Sequence, residues 1–157
     1  MLFLATLLVL LSAANRALAT KFMDTCSDVR FYNPDYELHF TTTWSPFLVA
    51  KCKDPGSGCE TCSFLPLMHC YSNAAGFLRP SKQGNFHKSC FNCQYEETGT
   101  EMTCRCFHNN AGRSTTESSI FLEDHVQNLD GRLWCQGIVG EVIDCNEYEL
   151  TKLRKIH

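Results

Sequence analysis

Residues 118–134, SSIFLEDHVQNLDGRLW, have a weaker copy earlier in the chain, at residues 63–78. Placing Gly131 on Gly76 gives an offset of 131 − 76 = 55, and further identical or similar residues then coincide without a gap. These are Ser118 on Ser63, Ile120 on Leu65, Leu122 on Leu67, Asn128 on Asn73 and Leu133 on Leu78. Matches at one fixed offset predict an internal repeat, and a repeat of this length organises the whole fold.

The repeat continues towards the N-terminus of each copy. Cys52 corresponds to Cys106 at an offset of 106 − 52 = 54, and Cys26 corresponds to Cys90 at an offset of 90 − 26 = 64. The first copy therefore has 64 − 54 = 10 extra residues after its first cysteine. The flanking matches are Leu48 and Ala50 on Met102 and Cys104, and Phe22 and Thr25 on Phe86 and Ser89.

This unit resembles the repeat of the cyanovirin-N family, two-repeat β lectins that bind mannose-rich glycans. The resemblance implies an all-β, pseudo-symmetric, cyanovirin-N-like barrel of two tandem repeats over residues 20–134, with repeat one at 20–79 and repeat two at 84–134. It also implies two disulfides, Cys26–Cys52 and Cys90–Cys106. Because the family's units exchange strands through a hinge, here residues 79–84, we expect a monomer or a domain-swapped dimer.

Residues 1–19 have the pattern of a signal peptide. An apolar run at residues 2–11 is followed by Ala17, Leu18 and Ala19, the small-x-small pattern of a cleavage site. The alternative is a membrane anchor, but the run is shorter than the roughly 20 residues needed to span a bilayer. Cleavage would leave 157 − 19 = 138 residues, enough for one domain. We therefore expect a secreted, extracellular protein.

The charge of the chain argues against two classes of partner. Losing Arg16 with the signal peptide changes the formal net charge from −3 to −4, and no basic block stands out. A mildly acidic chain offers little to the phosphates of a nucleic acid. We expect neither nucleic acid nor a membrane surface as a partner, and the chain needs no cofactor for the functions considered below.

All 11 cysteines lie beyond residue 19, which predicts a disulfide-rich protein of an oxidising compartment. Seven lie outside the two family disulfides, and sequence alone leaves their pairing open: Cys59, Cys62, Cys70, Cys93, Cys104, Cys135 and Cys145. Cys135 with Cys145 is a plausible local loop, and Cys104, at the position of Ala50, is a candidate for an inward-facing unpaired thiol. A zinc site is the alternative for Cys59-x-x-Cys62 and Cys90-x-x-Cys93, with His69 and His87 nearby, but oxidation is favoured in a secreted protein.

The local patterns indicate short strands and turns. We predict a hairpin around residues 33–43, strands at 47–50, 64–68 and 101–107, and turns at 53–58, 96–100 and 108–114. Residues 122–128 could form one helical turn with Leu122 and Val126 in the core, where we also place Leu133 and Trp134. Residues 135–157 form a C-terminal extension, in which 147–157 suits a short amphipathic helix.

The resemblance also implies two carbohydrate pockets, one at each end of the body. The first would use Lys21, Asp24, Thr25, the turn at Lys53 to Pro55, and Asn128, Leu129 and Asp130. The second would use Ser72, Asn73, Ala75, Asn85, Lys88, Ser89, Phe107, His108 and Asn109. In the second pocket Ala75 stands where the pattern has Asp, which removes hydrogen-bond acceptors for sugar hydroxyls.

Several other interpretations of the sequence remain open at this point. Asn, Asp and Gly at 128–131 also suit a tight turn with no binding role. Asp124 beside His125 lacks a nucleophile motif, so a small hydrolase with a histidine and a glutamate as acid and base is the weaker alternative to a non-catalytic lectin. A secreted cysteine-rich effector or inhibitor on the same scaffold would bind a protein instead. For a lectin, the expected partner is a mannose-type glycan, including one on a host or cell-wall glycoprotein.

Overall fold

The computed structural model describes residues 19–34, 45–96, 100–108 and 114–145. These ranges are mostly β-strand, with one short α-helix and three single 3-10 turns. The first half contains β1 Thr20–Lys21, α1 Phe22–Thr25, β2 Cys26–Tyr32, β3 Phe47–Lys53, β4 Glu60–Pro66, a 3-10 turn Leu67–His69, β5 Tyr71–Ala74 and β6 Phe77–Pro80. The second half contains a 3-10 turn Phe86–Lys88, β7 Cys90–Glu96, β8 Glu101–Phe107, β9 Thr115–Phe121, a 3-10 turn Leu122–Asp124, β10 Gln127–Leu129, β11 Arg132–Cys135, β12 Ile138–Val139 and β13 Glu141–Ile143.

Two antiparallel three-stranded units, β2-β3-β4 and β7-β8-β9, form the two halves of the body. Their registers are equivalent, since Cys26 lies opposite Cys52 and Cys90 lies opposite Cys106. A register shift also interrupts β2 and β7 at the same place, next to Asp28 and Asn92. The predicted repeat is therefore a structural repeat. The described strands form separate sheets and do not close into one continuous barrel.

Each repeat contributes a hairpin that packs on the sheet of the other repeat. The hairpin β5–β6 lies against β9, where the Leu78 N–H donates to Ser118 Oγ at 2.9 Å. The hairpin β10–β11 lies against β4, where the Leu133 N–H donates to Ser63 Oγ at 3.0 Å. Both serines are buried, so each hydroxyl satisfies a backbone donor that would otherwise lack a partner in the core. This explains why serine recurs at the offset of 55.

The core runs between the two halves, and the buried apolar side chains of both repeats contribute to one cluster. Leu122, Val126 and Leu133 are fully buried, as predicted, while Trp134 is only half-buried. The helical turn predicted near Leu122 is a single 3-10 turn.

Two of the predicted strands are present in the structure. The strand at Glu101–Phe107 has the predicted bounds, and the strand predicted from Phe47 continues to Lys53. The strand expected at residues 64–68 instead ends at Pro66, because Leu67–His69 turns away as a 3-10 segment. The predicted hairpin at residues 33–43 and the turn at 108–114 lie mainly outside the described residues.

Both disulfides implied by the resemblance are present, Cys26–Cys52 and Cys90–Cys106. Three further bridges are Cys62–Cys145, Cys70–Cys135 and Cys93–Cys104. The suggested Cys135–Cys145 pairing is therefore wrong, because Cys135 at the end of β11 lies beside Cys70 instead. The suggestion of an unpaired Cys104 is also wrong, because the irregularity in β7 brings Cys93 next to it. Among the described residues the free thiol is that of the exposed Cys59.

The zinc alternative is contradicted by these bridges. Cys62, Cys90 and Cys93 are all oxidised, so three of the four proposed thiolates are not available as ligands. In the described part of the chain, no group of three or more His, Cys, Asp or Glu side chains could hold a metal ion.

The C-terminal extension begins as β structure. Strand β12 pairs with β11, and β13 adds a fourth strand to the edge of β4, where Ile143 lies opposite Cys62. Gly140 between them is required by a close approach, since a Cβ there would lie 2.7 Å from the Phe64 carbonyl oxygen. The helix predicted at residues 147–157 lies outside the described residues. No helix in the described ranges is long and apolar enough to span a membrane.

Candidate functional site

The first candidate site, called pocket one, is organised around the side chain of Asn128. Its Oδ1 accepts a hydrogen bond from the Gly131 N–H at 3.0 Å, which fixes the β10–β11 turn. Its Nδ2 donates to Thr25 Oγ1 at 2.9 Å and to the Lys53 carbonyl oxygen at 2.8 Å. These bonds join a repeat-two turn to two segments of repeat one. Asn128 is 1% exposed, and these three hydrogen bonds engage both polar atoms of its side chain, so it holds the segments of pocket one together.

Asp130 is the exposed carboxylate of this turn. It has a φ of 50°, in the left-handed region that Asp tolerates better than most residues, and Gly131 follows with a φ of 79°. The Asp130 carboxylate has no hydrogen bond or ion pair with any described residue. It is therefore a free acceptor at the rim of the pocket.

Lys21, Asp24 and Thr25 supply a second wall. β1 pairs with β10, with Lys21 opposite Gln127, and this places α1 beside the turn. The Lys21 ammonium lies 3.9 Å from an oxygen of Asp124, a surface ion pair of small energetic value. The Asp24 side chain is exposed at this wall.

The third wall is the turn that follows β3. Asp54 accepts hydrogen bonds from Ser57 Oγ and the Gly56 N–H, which hold the pKa of its carboxyl below the usual range. Its carboxylate therefore shapes the predicted 53–58 turn. Thr61 Oγ1 donates to the Gly131 carbonyl oxygen at 2.5 Å and so ties β4 to the binding turn.

The second candidate site, called pocket two, has the same frame around Asn73. Its Oδ1 accepts from the Gly76 N–H at 2.8 Å, and its Nδ2 donates to Ser89 Oγ at 2.9 Å and to the Phe107 carbonyl oxygen at 2.8 Å. Every partner occupies the position equivalent to its counterpart in pocket one. The alignment thus predicted correctly which segments meet at each end of the molecule.

The outward-facing residues of pocket two differ. Ala75 has a φ of 51°, the same left-handed backbone as Asp130, but carries no carboxylate. His108 lies over the turn: its Nδ1 is 3.1 Å from the Ala75 carbonyl oxygen, and its Nε2 contacts Thr116 Oγ1. A Cβ on Gly76 would lie 3.0 Å from the His108 Nδ1, so glycine makes room for the ring.

Asn85 and Lys88 lie on the opposite wall of pocket two. Asn85 forms an isolated bridge with Ser72, and its Nδ2 donates to the Gln83 carbonyl oxygen at 2.7 Å. The Lys88 side chain is exposed and forms no ion pair with a described residue. Asn109, the last predicted member, lies outside the described residues.

The sequence reasoning missed Thr61 and Thr116. They are equivalent at the offset of 55, but Thr61 bonds directly to the hairpin turn while Thr116 reaches it through the His108 ring. The repeat offset itself was the signal that could have identified this pair.

Two hairpins, each held by an asparagine against segments of the other repeat, define a pseudo-symmetric two-repeat β scaffold. The CVNH domain model matches residues 22–134, so the chain belongs to the cyanovirin-N homology (CVNH) family, a family of carbohydrate-binding lectins. No curated protein matches this sequence at a significant level.

Solved structures agree with this assignment. The chain is similar to microvirin in a microvirin:mannobiose complex, with 27% identity and a TM-score of 0.56, covering 74% of this chain and 98% of that one. It is similar to TbCVNH of T. borchii, with 27% identity and a TM-score of 0.54, covering 74% and 100%. A MoCVNH3 variant in complex with (N-GlcNAc)4 has the same fold at 15% identity and a TM-score of 0.56, covering 74% and 97%.

Proposed function

We propose that this protein is a secreted, non-catalytic lectin that binds mannose-type glycans through pocket one. The observation that carries the proposal is the Asp130 carboxylate, exposed on a turn whose backbone is fixed by Asn128. A rigid, unpaired carboxylate can accept hydrogen bonds from two neighbouring sugar hydroxyls, and charge-assisted bonds of this kind are the stronger ones.

The geometry of the frame supports specificity as well as affinity. Because the Asn128 side chain already satisfies Thr25, Lys53 and Gly131, the walls of the pocket are held in place before a ligand arrives. Binding then costs less ordering entropy. A sugar epimer with one hydroxyl in the wrong orientation would leave the Asp130 carboxylate incompletely paired, which is the usual origin of discrimination between polar ligands.

The relatives suggest the ligand class. Microvirin, the relative whose complex contains mannobiose, supports a mannose-type ligand for a pocket that keeps its carboxylate. The proposed glycan could belong to a host or cell-wall glycoprotein. One strong pocket predicts weak monovalent binding, because avidity on clustered glycans needs two working sites.

Secretion is supported by the signal-peptide pattern and by the disulfides. Five bridges among the described residues would not persist in a reducing cytosol. Two of them, Cys62–Cys145 and Cys70–Cys135, also join the residues before the hinge at 79–84 to the residues after it. This covalent closure favours a monomer over a domain-swapped dimer, and size-exclusion chromatography with light scattering would distinguish the two.

The test is titration of the disulfide-bonded protein with mannobiose, followed by calorimetry and by amide NMR. Asp130→Asn removes the charge but keeps a residue that accepts the left-handed backbone, so we expect at least about tenfold weaker binding without unfolding. Glu117→Gln, which removes an exposed carboxylate on β9, is the matched control and should bind normally.

Equal binding by Asp130→Asn and the native protein would contradict the assignment of the pocket. Absence of binding to any glycan, neutral or acidic, by protein shown to be folded, would contradict the lectin function itself. That result would favour the alternative of an effector or inhibitor that uses this scaffold to bind a protein.

A further inference from the structure

The two pockets differ systematically in charge. At four equivalent positions pocket one has an aspartate and pocket two has a neutral or basic residue. These are Asp24 against Lys88, Asp54 against His108, Asp124 against His69, and Asp130 against Ala75. The members of each pair are related by the repeat offsets. In pocket one, the four aspartates lie at or near the ends of α1, of β3, of the 3-10 turn that follows β9, and of β10. The change therefore affects the whole rim of one pocket.

Pocket one is acidic. Together with Lys21 and Lys53 its rim carries two lysines and four aspartates, a net charge of −2. The ammonium of Lys21 is partly neutralised by Asp124 at 3.9 Å. A ligand with its own negative charge would be repelled from this rim, whereas neutral hydroxyl groups find acceptors there.

Pocket two has the opposite character. Asn85 and Phe107 replace the two lysines of pocket one, and Lys88 is the charged residue at the equivalent positions, giving a net charge of +1 with neutral histidines. The Lys88 side chain is exposed and has no ion pair among the described residues. Burial lowers the pKa of His87, and the nearby Lys88 and His69 add to the shift, so these basic groups lie on the same side of the molecule.

Pocket two also keeps polar donors next to this charge. Ser89 Oγ accepts its hydrogen bond from Asn73 Nδ2, which leaves the hydroxyl hydrogen of Ser89 free to donate. Lys88 is the exposed residue directly before Ser89, and a site that offers both a hydroxyl donor and an ammonium would suit an acceptor-rich anionic group better than a neutral sugar.

We propose that pocket two binds a saccharide carrying an anionic substituent, a carboxylate or a phosphate, with the Lys88 ammonium as its counter-charge. This proposal rests on the lectin part of the proposed function, since it takes pocket two to be a glycan site. It makes the molecule a two-specificity lectin: neutral mannose-type sugar at one end and an acidic sugar at the other.

The experiment is an amide NMR titration of the disulfide-bonded Asp130→Asn variant, in which pocket one is weakened. The probes are two matched pairs, glucuronic acid with glucose and mannose 6-phosphate with mannose. We expect an acidic member to shift the amides of Lys88, Ser89 and His108, and the neutral members to leave them unchanged. A response to only one acidic member supports the proposal and identifies the substituent. Equal shifts with the neutral partners, or no shift with either acidic sugar, would overturn it.

Variants test the role of the charge itself. Lys88→Gln should weaken acidic-sugar binding by about tenfold, the usual worth of one charge-assisted hydrogen bond. The control is Lys82→Gln, which also removes one positive charge. The Lys82 ammonium lies near Gly137 of the β11–β12 turn, so this variant should change the affinity less than twofold. Ala75→Asp restores the missing carboxylate and should also weaken binding. Unchanged affinity in both Lys88→Gln and Ala75→Asp would overturn the proposal.

The two proposals can fail separately. Mannobiose binding at Asp130 with no acidic sugar at Lys88 would leave the proposed function intact and overturn this inference. Acidic-sugar binding at Lys88 with no mannobiose binding at Asp130 would support this inference and overturn the proposed mannose site in pocket one. Binding at pocket two should also weaken from 20 mM to about 500 mM salt, because an exposed ammonium is screened.

Discussion

Pocket one and pocket two have the same internal frame and different rims. In each pocket, one asparagine accepts a hydrogen bond from a glycine N–H and donates to a hydroxyl and to a carbonyl oxygen. In that order, the distances are 3.0, 2.9 and 2.8 Å around Asn128 and 2.8, 2.9 and 2.8 Å around Asn73, so the two frames agree within 0.2 Å. The outward-facing residues at equivalent positions of the two pockets differ in charge. The frame connects the two repeats, so we expect it to matter for stability, whereas we expect the exposed rim to affect ligand binding more than stability.

The largest expected effect comes from breaking the frame. Asn128→Ala and Asn73→Ala each remove three hydrogen bonds and leave inward-facing backbone groups unpaired, and each unpaired buried group costs about 1–3 kcal/mol. We expect each variant to lose about 3 kcal/mol or more in the free energy of unfolding, measured by denaturant titration.

The control for this comparison is Gln94→Ala, an exposed position on β7 that should change stability by less than about 0.5 kcal/mol. If the frames are equivalent, the two asparagine variants should agree within about 1 kcal/mol, allowing for the usual context dependence of such values. A severe loss in one and none in the other would show that only one pocket depends on its asparagine.

A second comparison concerns the disulfide Cys93–Cys104, which repeat two has and repeat one lacks. The equivalent residues of repeat one are Val29 and Ala50, so Cys93→Val with Cys104→Ala copies repeat one into repeat two. A short loop of this kind is worth up to about 3 kcal/mol, and less here because Cys90–Cys106 already closes the same hairpin. We expect a loss of about 1–2 kcal/mol in the free energy of unfolding, checked by denaturant titration against the native protein. A fully neutral double variant would mean that repeat two does not need its extra bridge.

The sequence predicted which segments meet because a repeat carries its own register. Once Gly131 was placed on Gly76, the partners of each pocket followed from the offsets, and the structure brings them together. What the sequence could not show is which way each side chain points. Asn128 looked like a ligand-binding residue, but an amide can face a sugar or a backbone with equal ease, and only the packing of β10 on repeat one buries it.

The remaining cysteine pairs were out of reach for a different reason. Cys62 and Cys145 are 83 residues apart and meet because β13 adds to the edge of β4. Strand addition at an edge depends on backbone hydrogen bonds that any sequence can make, so it leaves little trace in the residues. Proximity in the sequence favours Cys135–Cys145, and this prediction is wrong because Cys145 follows β13 to the edge of β4.

A third comparison concerns backbone strain at the tips of the hairpins. Ala75 and Asp130 have nearly the same φ, 51° and 50°, but alanine gains no local hydrogen bond in the left-handed region. Ala75→Gly should therefore raise the free energy of unfolding by about 1 kcal/mol. Ala74→Gly, one residue earlier in β5, should lower it by a similar amount because glycine weakens a strand. Stabilisation by both variants, or by neither, would show that the strain at Ala75 is not what limits this turn.

The smallest expected effect is a pH dependence of stability that His87 gives to repeat two and that repeat one lacks at the equivalent position. Burial lowers the pKa of His87, and the nearby Lys88 and His69 add to the shift, so protonation is less favourable in the folded protein than in the unfolded chain. The unfolded chain then binds more protons, and stability falls as the pH drops below the ordinary histidine value of about 6.5. Repeat one has Met23 at the equivalent position, which makes His87→Met the natural variant. We expect its urea midpoint to change less between pH 7.5 and about pH 5 than that of the native protein, because the variant lacks the proton uptake of His87 on unfolding. The same pH dependence in both proteins would mean that the buried His87 is not the source of the acid sensitivity.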